Sequence, residues 1–224
     1  MLERLSLTLL AAGQSSRLGQ NKCLLACLNT QGEDKALSAH FDVEPWISLK
    51  LKQLLAVQAH YQGRLDIELV VVLGFQAQSI KDQLAPLINK LSVLDNEQWQ
   101  SGMGSSVSLA AAHALNTKSA LLIALVDQWQ LETRHYISCI DAWRASSKPI
   151  THTVNKARSA LGPPLVCEFE HLELFLNLPA DVGARRVLKQ HASLCEQVAL
   201  DRAFVDLDTE NDLKLFRTHF PETH

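Results

Sequence analysis

The chain has 224 residues, of which 47% are hydrophobic and 20% are charged, and its formal net charge is −3. This composition is typical of a globular protein with a sizeable core, and the small negative charge argues against nucleic acid or an anionic membrane surface as a partner. No apolar run approaches the roughly 18 residues that indicate a membrane-spanning helix. We therefore expect one α/β domain that occupies residues 1–224.

The N-terminal residues and the cysteines bear on the compartment. Glu3 and Arg4 interrupt the apolar residues at the start of the sequence, so we expect no secretory leader. The five cysteines form an odd and scattered set, which does not suggest a disulfide framework and suits a reducing environment. The sequence therefore predicts a cytoplasmic protein.

The first half of the chain alternates apolar runs with segments of helical spacing. In chain order, the pattern predicts a strand at 5–12, a polar loop to residue 22, a loop or insertion at 30–44, a helix at 46–61, a strand at 67–73, a helix at 76–90 that Pro86 interrupts, and a short strand at 91–94. The strand at 67–73 is rich in β-branched residues, as expected for a parallel sheet that is covered on both faces.

The second half continues this alternation. In chain order, it predicts a loop at 101–106, a helix from residue 107 with Ser105 or Ser106 as N-cap, a strand at 120–126, a helix at 134–143 with Thr133 as N-cap, a strand at 150–154, a rigid turn at 162–164, helices at 168–176 and 184–191, a strand at 204–208, and a last helix to residue 216 that Thr209 and Asp212 cap. Alternating strands and helices favour an α/β fold with a mainly parallel sheet.

The loop after the first strand has the chemistry of a phosphate-binding site. Gly13, Ser15 and Ser16 are small, and Arg17 and Lys22 add two cations within the same ten positions. Glycine lets backbone N–H groups approach an anion closely, while Arg and Lys side chains bind phosphate oxygens. The segment matches neither GxxxxGK[ST] nor GxGxxG, so an ordinary strand-to-helix connection remains an alternative at this point.

Asp127 follows directly after the most apolar predicted strand. Ligands of open α/β sheets bind beyond the carboxyl ends of the strands, so this carboxylate is expected to face the same crevice as the loop after the first strand. The alternative is that Asp127 caps the following helix, but Thr133 is better placed for that role. We therefore favour a functional role for Asp127.

Several motifs in the expected order resemble the molybdenum cofactor cytidylyltransferase family and its guanylyltransferase relatives. LAAGQSSRLGQNK at residues 10–22 resembles the LAAGxSxRxGxxK signature of that family. Further similarities are GMGSS at 102–106 to GMxxS, Asp127-Gln128 to DQP or DMP, DVGAR at 181–185 to GDxGAR, and DLDTEND at 206–212 to DIDTPED. The resemblance implies a three-layer α/β/α sandwich with a mainly parallel sheet, similar to nucleotide-diphospho-sugar transferases and Rossmann-like folds.

The implied reaction is nucleotidyl transfer with release of pyrophosphate. By resemblance, Arg17, Lys22 and Asp127 are the catalytic residues, Asp127 is the first choice of Mg²⁺ ligand, and Asp206 or Asp208 is the second, with a preference for Asp206. Magnesium binds hard oxygen ligands and commonly uses one or two carboxylates together with substrate phosphates. The nucleotide is expected to contact Leu10, Ala11, Ala12, Gly13, Ser15, Ser16, Arg17, Lys22, Gly102, Ser105 and Ser106.

The base and the acceptor are also inferred from the resemblance. Ala11-Ala12-Gly13 is similar to the AAG of the cytidylyltransferases, whereas the guanylyltransferases usually have AGG, so CTP is favoured over GTP as substrate. The expected acceptor is molybdopterin, and a molybdoenzyme or its chaperone is a possible partner. Two alternatives are another phosphorylated acceptor, such as a sugar or alditol phosphate, and a nucleotide-binding delivery protein without turnover.

Four positions depart from the family motifs. Trp129 stands in place of a proline, Pro163 in place of the His of GHP, Ala180 in place of the Gly of GDxGAR, and Glu210-Asn211 in place of the PE of DTPED. The first two bear on the acceptor side. Trp129 is expected either to stack on a flat ring of the acceptor or to pack against the edge of the sheet.

Overall fold

The computed structural model describes residues 2–28, 43–179 and 183–221. Within these ranges the strands are Arg4–Ala11 (β1), Ala26–Leu28 (β2), Val43–Pro45 (β3), Asp66–Leu73 (β4), Ser92–Asp95 (β5), Ala120–Leu125 (β6), Ile150–Asn155 (β7), Ala160–Cys167 (β8) and Cys195–Ala199 (β9). The α-helices are Trp46–His60 (α1), Ala77–Gln83 (α2), Met103–Thr117 (α3), Thr133–Ala145 (α4), Arg185–Gln190 (α5) and Glu210–His219 (α6). Short 3₁₀ segments lie at Lys22–Leu24, Ile88–Lys90, Trp99–Ser101, Phe169–Phe175, Ala192–Leu194 and Asp201–Phe204.

Seven strands form a central sheet in the order β5-β4-β1-β6-β8-β7-β9. The pairs β4–β5, β1–β4, β1–β6 and β7–β9 are parallel, and β8 runs antiparallel to both β6 and β7. The sheet is therefore mostly parallel, and with helices on both faces it confirms the predicted three-layer α/β/α fold. A separate antiparallel pair is formed by β2 and β3.

The register of the parallel strands aligns their carboxyl ends. Leu10 of β1 lies opposite Val72 of β4 and Leu125 of β6, and Leu73 lies opposite Asp95 of β5. The loops that follow all four strands consequently start at one edge of the sheet.

Side chains of β1 alternate between two hydrophobic layers. Leu5, Leu7 and Leu9 pack into a layer that contains residues of α1, α4 and α6, whereas Leu10 and Ala12 pack into a second layer with residues of α3 and α5. Burial on both faces explains why β6 is an uninterrupted apolar run. β1 also buries Ser6 and Thr8, whose hydroxyl groups hydrogen-bond to each other at 3.1 Å.

Most predicted elements are found at the expected positions, but several differ. The helix predicted at 168–176 is the 3₁₀ segment Phe169–Phe175. The predicted helix at 76–90 ends at Gln83 and is followed by a 3₁₀ turn, because Pro86 lacks the N–H that a continuous helix needs. The predicted strand at 204–208 is wrong, since the chain there follows a 3₁₀ segment and extends no sheet. The C-terminal strand is instead β9, an edge strand in which buried, intermediate and exposed residues alternate.

The turn predicted at 162–164 is also wrong. Gly162, Pro163 and Pro164 lie inside β8, and the Pro163–Pro164 peptide bond is cis. The pairing of β7 with β8 shifts register between His152 and Thr153, and a proline is tolerated at such an irregularity because no regular ladder hydrogen bond is lost. The Thr153 hydroxyl lies 2.9 Å from both the Gly162 and the Pro163 carbonyl oxygens.

Of the three helix caps predicted from the sequence, the structure confirms only one, that of α6. Thr209 and Asp212 form the expected reciprocal cap of α6. In contrast, α3 begins at Met103, so Ser105 and Ser106 lie inside its first turn. Gly102 precedes the helix with φ 111° and ψ −179°, a conformation that is essentially restricted to glycine.

Thr133 is the first residue of α4 instead of its N-cap. Glu132 precedes this helix, and its backbone N–H donates to His135 Nδ1 at 2.9 Å. Of the loop predicted at 30–44, residues 30–42 lie outside the described part of the chain, while Val43 and Glu44 belong to β3. Ala180, Asp181 and Val182 also lie outside the described residues. Among the described helices, none has the length and apolar composition to cross a bilayer.

Gly74 follows β4 and allows a close approach of neighbouring groups. A Cβ at this position would lie 2.5 Å from Trp99 Cβ and 2.8 Å from the Ala12 carbonyl oxygen. We expect Gly74→Ala to lower the free energy of unfolding by about 2 kcal/mol, because the overlap involves backbone that cannot move freely. Urea denaturation measures this change. Gly162→Ala is the control, since a Cβ there meets nothing within 4 Å; equal effects of the two substitutions would contradict the prediction.

Candidate active site

Two adjoining pockets open at the carboxyl edge of the sheet. The smaller pocket, of about 530 Å³, lies over the loop after β1, and the larger pocket, of about 700 Å³, lies beside β8 and α5. Leu10, Met103 and Leu125 line both of them. The predicted site residues that line the smaller pocket are Leu10, Ala11, Ala12, Gly13, Ser15, Ser16, Arg17, Lys22, Gly102, Ser106, Asp127 and Asp208.

Local hydrogen bonds shape the loop after β1. Ser15 has a positive φ of 57°, its carbonyl accepts from Leu18 N–H at 3.0 Å, and its hydroxyl accepts from Lys22 N–H at 3.3 Å. Asn21 then starts the 3₁₀ turn by accepting from Cys23 N–H at 3.0 Å. The loop is thus held at both ends while its middle, including Arg17, faces solvent at the pocket.

Lys22 is the centre of a charged cluster. Its Nζ donates to Asp127 Oδ2 at 3.1 Å and to Asp208 Oδ1 at 2.9 Å, and the residue is only 7% exposed. Burial disfavours its charged form, but attraction to the two carboxylates more than offsets that effect, so the pKa of Lys22 is raised above its ordinary value. Lys22 therefore remains an ammonium group and holds residues 127 and 208 together.

The backbone around Asp127 fixes its position. Val126 N–H donates to the Leu10 carbonyl at 3.2 Å, and the Asp127 carbonyl accepts from Leu207 N–H at 3.0 Å. The loop after β6 is therefore tied to the end of β1 on one side and to the segment before α6 on the other. This second bond brings Asp208, which is far away in sequence, to the same pocket.

Asp127 and Asp208 have the chemistry of a divalent-cation site. Asp127 Oδ1 is buried and has no hydrogen-bond partner among the described residues, so it is an available acceptor. Carboxylate oxygens are the ligands that Mg²⁺ prefers. The described part of the chain contains no group of three or more His, Cys, Asp or Glu side chains suited to a metal, so this pair fits a cation that takes its other ligands from a substrate or from water.

Asp206 occupies a different place from the one preferred from the sequence. It lines the larger pocket, whereas Asp208 makes the contact with Lys22, so the geometry favours Asp208 as the second carboxylate. The pKa of Asp206 is raised to about 7, first by partial shielding from water and then by repulsion from Asp127 and Asp208. Solvent screens part of this repulsion, because Asp206 is exposed within the open pocket.

Asn96 is a site residue that the sequence reasoning missed. It follows β5 directly, is buried, and its side-chain amide donates to Ser105 Oγ at 2.8 Å and to Ser106 Oγ at 2.9 Å. These bonds hold the first turn of α3 against the end of β5. Ser106 lines the smaller pocket, but Ser105 does not and instead bonds within the turn. Its position in the sequence, directly after a strand and comparable to that of Asp127, is the feature that could have identified Asn96.

The larger pocket combines an apolar floor with basic residues. Val107, Ile123 and Leu125 line its inner part, and the positively charged residues Arg185, Arg186 and Lys189 come from α5. A ligand with an apolar or flat body and a phosphate group fits these two kinds of surface.

Two of the positions that depart from the family motifs, Pro163 and Trp129, have well-defined contacts. Gln128 donates from its side-chain amide to the Pro163 carbonyl at 2.7 Å and to the Ala203 carbonyl at 2.8 Å. Trp129 is only 3% exposed and packs on Phe216 and His219, with ring centroids 5.8 and 5.1 Å away. Trp129 thus belongs to the core, as the packing alternative predicts, and is not available to stack on a ligand.

Comparisons with known proteins agree with this architecture. A nucleotidyl transferase from Methanothermobacter (Mth528) has a TM-score of 0.70 at 19% identity, with 96% of each chain covered. Rv0371c from Mycobacterium tuberculosis H37Rv has a TM-score of 0.67 at 20% identity, with 96% of this chain and 98% of that chain covered. That protein has also been solved in complex with manganese, with a TM-score of 0.64, 18% identity and the same coverage.

A more distant similarity extends to 4-diphosphocytidyl-2C-methyl-D-erythritol synthase from Anaerococcus prevotii. Its TM-score is 0.64 at 10% identity, with 97% of this chain and 96% of that chain covered. At these identities the similarities show a shared fold.

No curated protein matches the chain in sequence. The family evidence comes instead from a sequence profile, that of the MobA-like NTP transferase domain, which matches residues 7–194. Since this match covers most of the chain, the protein belongs to the MobA-like NTP transferase family and is a nucleotidyltransferase of that type.

Proposed function

We propose that the protein is a Mg²⁺-dependent cytidylyltransferase that transfers CMP from CTP to the molybdopterin cofactor, with residues 1–224 acting as one catalytic domain. The observation that carries the proposal is the contact of Lys22 with Asp127 and Asp208 beside the glycine loop, in a pocket that adjoins a second, basic one. The product would pass to a molybdoenzyme or its chaperone.

The proposed reaction follows from the charges on the reactants. A phosphate oxygen of the acceptor attacks the α-phosphorus of CTP, and the bond from that phosphorus to the bridging oxygen of pyrophosphate breaks. Asp127 and Asp208 would hold Mg²⁺, which would supply positive charge to the phosphate oxygens. Arg17 and Lys22 bind the triphosphate, and the backbone N–H groups of residues 13–16 surround it.

The two pockets give each reactant its own place. In this proposal CTP binds in the smaller pocket and the acceptor binds in the larger one. The lining residues that the two pockets share, Leu10, Met103 and Leu125, support this assignment because they make the pockets adjoin. Arg185, Arg186 and Lys189 attract the anionic acceptor. Holding both reactants in line supplies much of the rate enhancement in such transfers.

A second candidate keeps the chemistry and changes the acceptor to another phosphorylated compound. Two observations favour it: Pro163 replaces the histidine of the family motif, and the fold neighbours include a synthase that forms a diphosphocytidyl-methylerythritol. The non-catalytic delivery protein is the third candidate, and it predicts nucleotide binding without release of pyrophosphate.

Asp127→Asn tests the catalytic assignment. We expect it to reduce the rate of pyrophosphate release from CTP, with Mg²⁺ and molybdenum cofactor present, by about 100-fold or more. The reason is the loss of a carboxylate that would hold the Mg²⁺ bound to the triphosphate. Binding of CTP, measured by calorimetry, should persist because the glycine loop is unchanged. Asp82→Asn, on the exposed surface of α2, is the control and should retain full activity. A wild-type protein that binds CTP but releases no pyrophosphate with any phosphorylated acceptor would leave only the delivery role.

Ala12 tests the choice of base. Ala12 is buried in the wall of the smaller pocket, where one methyl group is expected to contribute roughly 1–3 kcal/mol of discrimination. The wild type should bind CTP more tightly than GTP or ATP, and Ala12→Gly should reduce the CTP-to-GTP affinity ratio by about tenfold. Titration calorimetry with Mg²⁺ present measures both. A preference for GTP in the wild type would reverse the assignment.

Arg186→Gln tests the place of the acceptor. Arg186 is exposed and lines only the larger pocket. The substitution should raise the KM for the acceptor by about tenfold and leave the KM for CTP unchanged, because a charge-assisted contact to phosphate is lost. Steady-state kinetics with each substrate varied in turn separates these effects. Lys156→Gln, in the exposed turn after β7, is the matched control. An increase confined to the KM for CTP would place the acceptor elsewhere.

A further inference from the structure

Lys50 is a fully buried lysine on α1 that the proposed chemistry does not use. Its exposure is 0%, and it lies between Leu49 and Leu51 on the face of the helix that meets the core. Asp127 and Glu132 attract its ammonium group electrostatically, but none of the ion pairs found among the described residues includes Lys50. A lysine is almost never buried without a compensating partner, so the groups around its Nζ indicate its role.

The ammonium group of Lys50 is bound to the loop that follows β6. Its Nζ donates to the Gln128 carbonyl at 2.9 Å and to the Leu131 carbonyl at 3.0 Å. The rings of Trp46 and Tyr136 also face the ammonium group, with their centroids 5.5 and 5.3 Å from Nζ. Two backbone carbonyl dipoles and two aromatic faces together replace part of the hydration that the charge loses.

Trp46, one turn earlier on α1, makes a third bond to the same loop. Its Nε1–H donates to the Val126 carbonyl at 2.7 Å. Residues 46 and 50 therefore bind carbonyl groups on both sides of Asp127. Since the loop is short, these bonds fix the direction in which residues 127 and 128 leave the strand.

The opposite face of the loop forms the walls of the two pockets. Asp127 lines the smaller pocket and Gln128 lines the larger one. Lys50 also attracts the Asp127 carboxylate electrostatically across the loop. One buried ammonium group thus supports a residue of each pocket without touching either pocket itself.

Stability alone does not account for a lysine at this position. Burial lowers the pKa of Lys50 to about 7, which means that the folded protein holds the charged form at a cost. Replacement of a buried charge by an apolar side chain of similar volume is often neutral or stabilising. A methionine would fill the same space, so the two hydrogen bonds to the loop are what the lysine adds.

We propose that Lys50 is a positioning residue that holds the 126–131 loop from behind and thereby sets the orientation of Asp127 toward the nucleotide and its cation. This inference rests on the proposed function. According to this inference, the buried layer under α1 controls the orientation of the Asp127 carboxylate through Lys50. Groups that orient a metal-binding side chain in this way typically change metal affinity or activity by about 10- to 100-fold when they are removed.

Lys50→Met is the primary test, with Lys52→Met as the matched control. Lys52 lies on the same helix, its side chain is 45% exposed, and it pairs with Glu44 on the surface. Binding of Mn²⁺ to the CTP complex is measured by electron paramagnetic resonance, and kcat and the KM for CTP are measured separately. We expect Lys50→Met to weaken Mn²⁺ binding about tenfold and to lower kcat by at least that factor, while the KM for CTP changes less than about threefold.

Lys50→Arg and Trp46→Phe extend the test. Arginine retains the charge and the donors, so it should recover part of the Mn²⁺ affinity that methionine loses. Trp46→Phe removes the bond to Val126 but keeps an aromatic ring at this position, and it should shift Mn²⁺ affinity in the same direction by a smaller factor. This variant keeps the proposal testable should Lys50→Met not fold. Folding of each variant is checked by circular dichroism and thermal unfolding.

The outcomes separate this inference from the proposed function. A folded Lys50→Met protein with the Mn²⁺ affinity and kcat of Lys52→Met would overturn the positioning role. A raised KM for CTP together with a lower thermal stability, but with unchanged Mn²⁺ affinity, would also overturn it. That result would indicate a purely structural role for Lys50. A wild type that binds Mn²⁺ with CTP but forms no product would refute the proposed transferase activity, and the Mn²⁺ comparison would still decide the role of Lys50.

Discussion

The parallel pairing of β1 with both β4 and β6 is the constraint on which the site depends. It places the ends of these strands, and that of β5, at one edge of the sheet. The segments that carry Lys22, Asn96 and Asp127 therefore all start from the same edge of the sheet, although they are far apart in sequence. The hydrogen bond between Leu207 N–H and the Asp127 carbonyl then adds the C-terminal segment, which supplies Asp208.

Charge is distributed unevenly along this edge. Lys22 lies between two carboxylates, so the cluster carries an excess negative charge even before Asp206 is counted, and that excess adds to the effect of burial in raising the pKa of Asp206. On the outer sides, Arg17 and the basic residues of α5 are exposed to solvent. The centre therefore attracts cations while its surroundings attract phosphates, which is the pattern that an anionic substrate bound with a metal requires.

The sequence predicts the central strands and the glycine loop well because their signals are local. A largely apolar run followed by a polar loop indicates a buried parallel strand, and β1, β4 and β6 follow this rule. Where tertiary contacts decide, the sequence is less informative. The edge strand β9 carries no strong apolar pattern, Pro163 lies where the pairing of β7 with β8 shifts register, and a lysine in a helix gives no sign that it will be buried.

The same distinction applies to the site. Asp127 was predicted from its position after a strand, but the choice between Asp206 and Asp208 depends on a non-repetitive segment whose direction only long-range hydrogen bonds determine. Ser105 and Ser106 were expected to cap α3, yet the glycine geometry at residue 102 starts the helix earlier, and Asn96 binds both hydroxyl groups instead.

The bond between Gln128 and residue 163 bears on how acceptor preference can change within this fold. Gln128 donates a hydrogen bond to the backbone carbonyl of Pro163 and makes no hydrogen bond to its side chain. A different residue at position 163 could therefore keep this bond. The two pockets share only apolar residues, Leu10, Met103 and Leu125. Substitutions at residue 163 can therefore change the lining of the larger pocket without changing any residue that lines the smaller one.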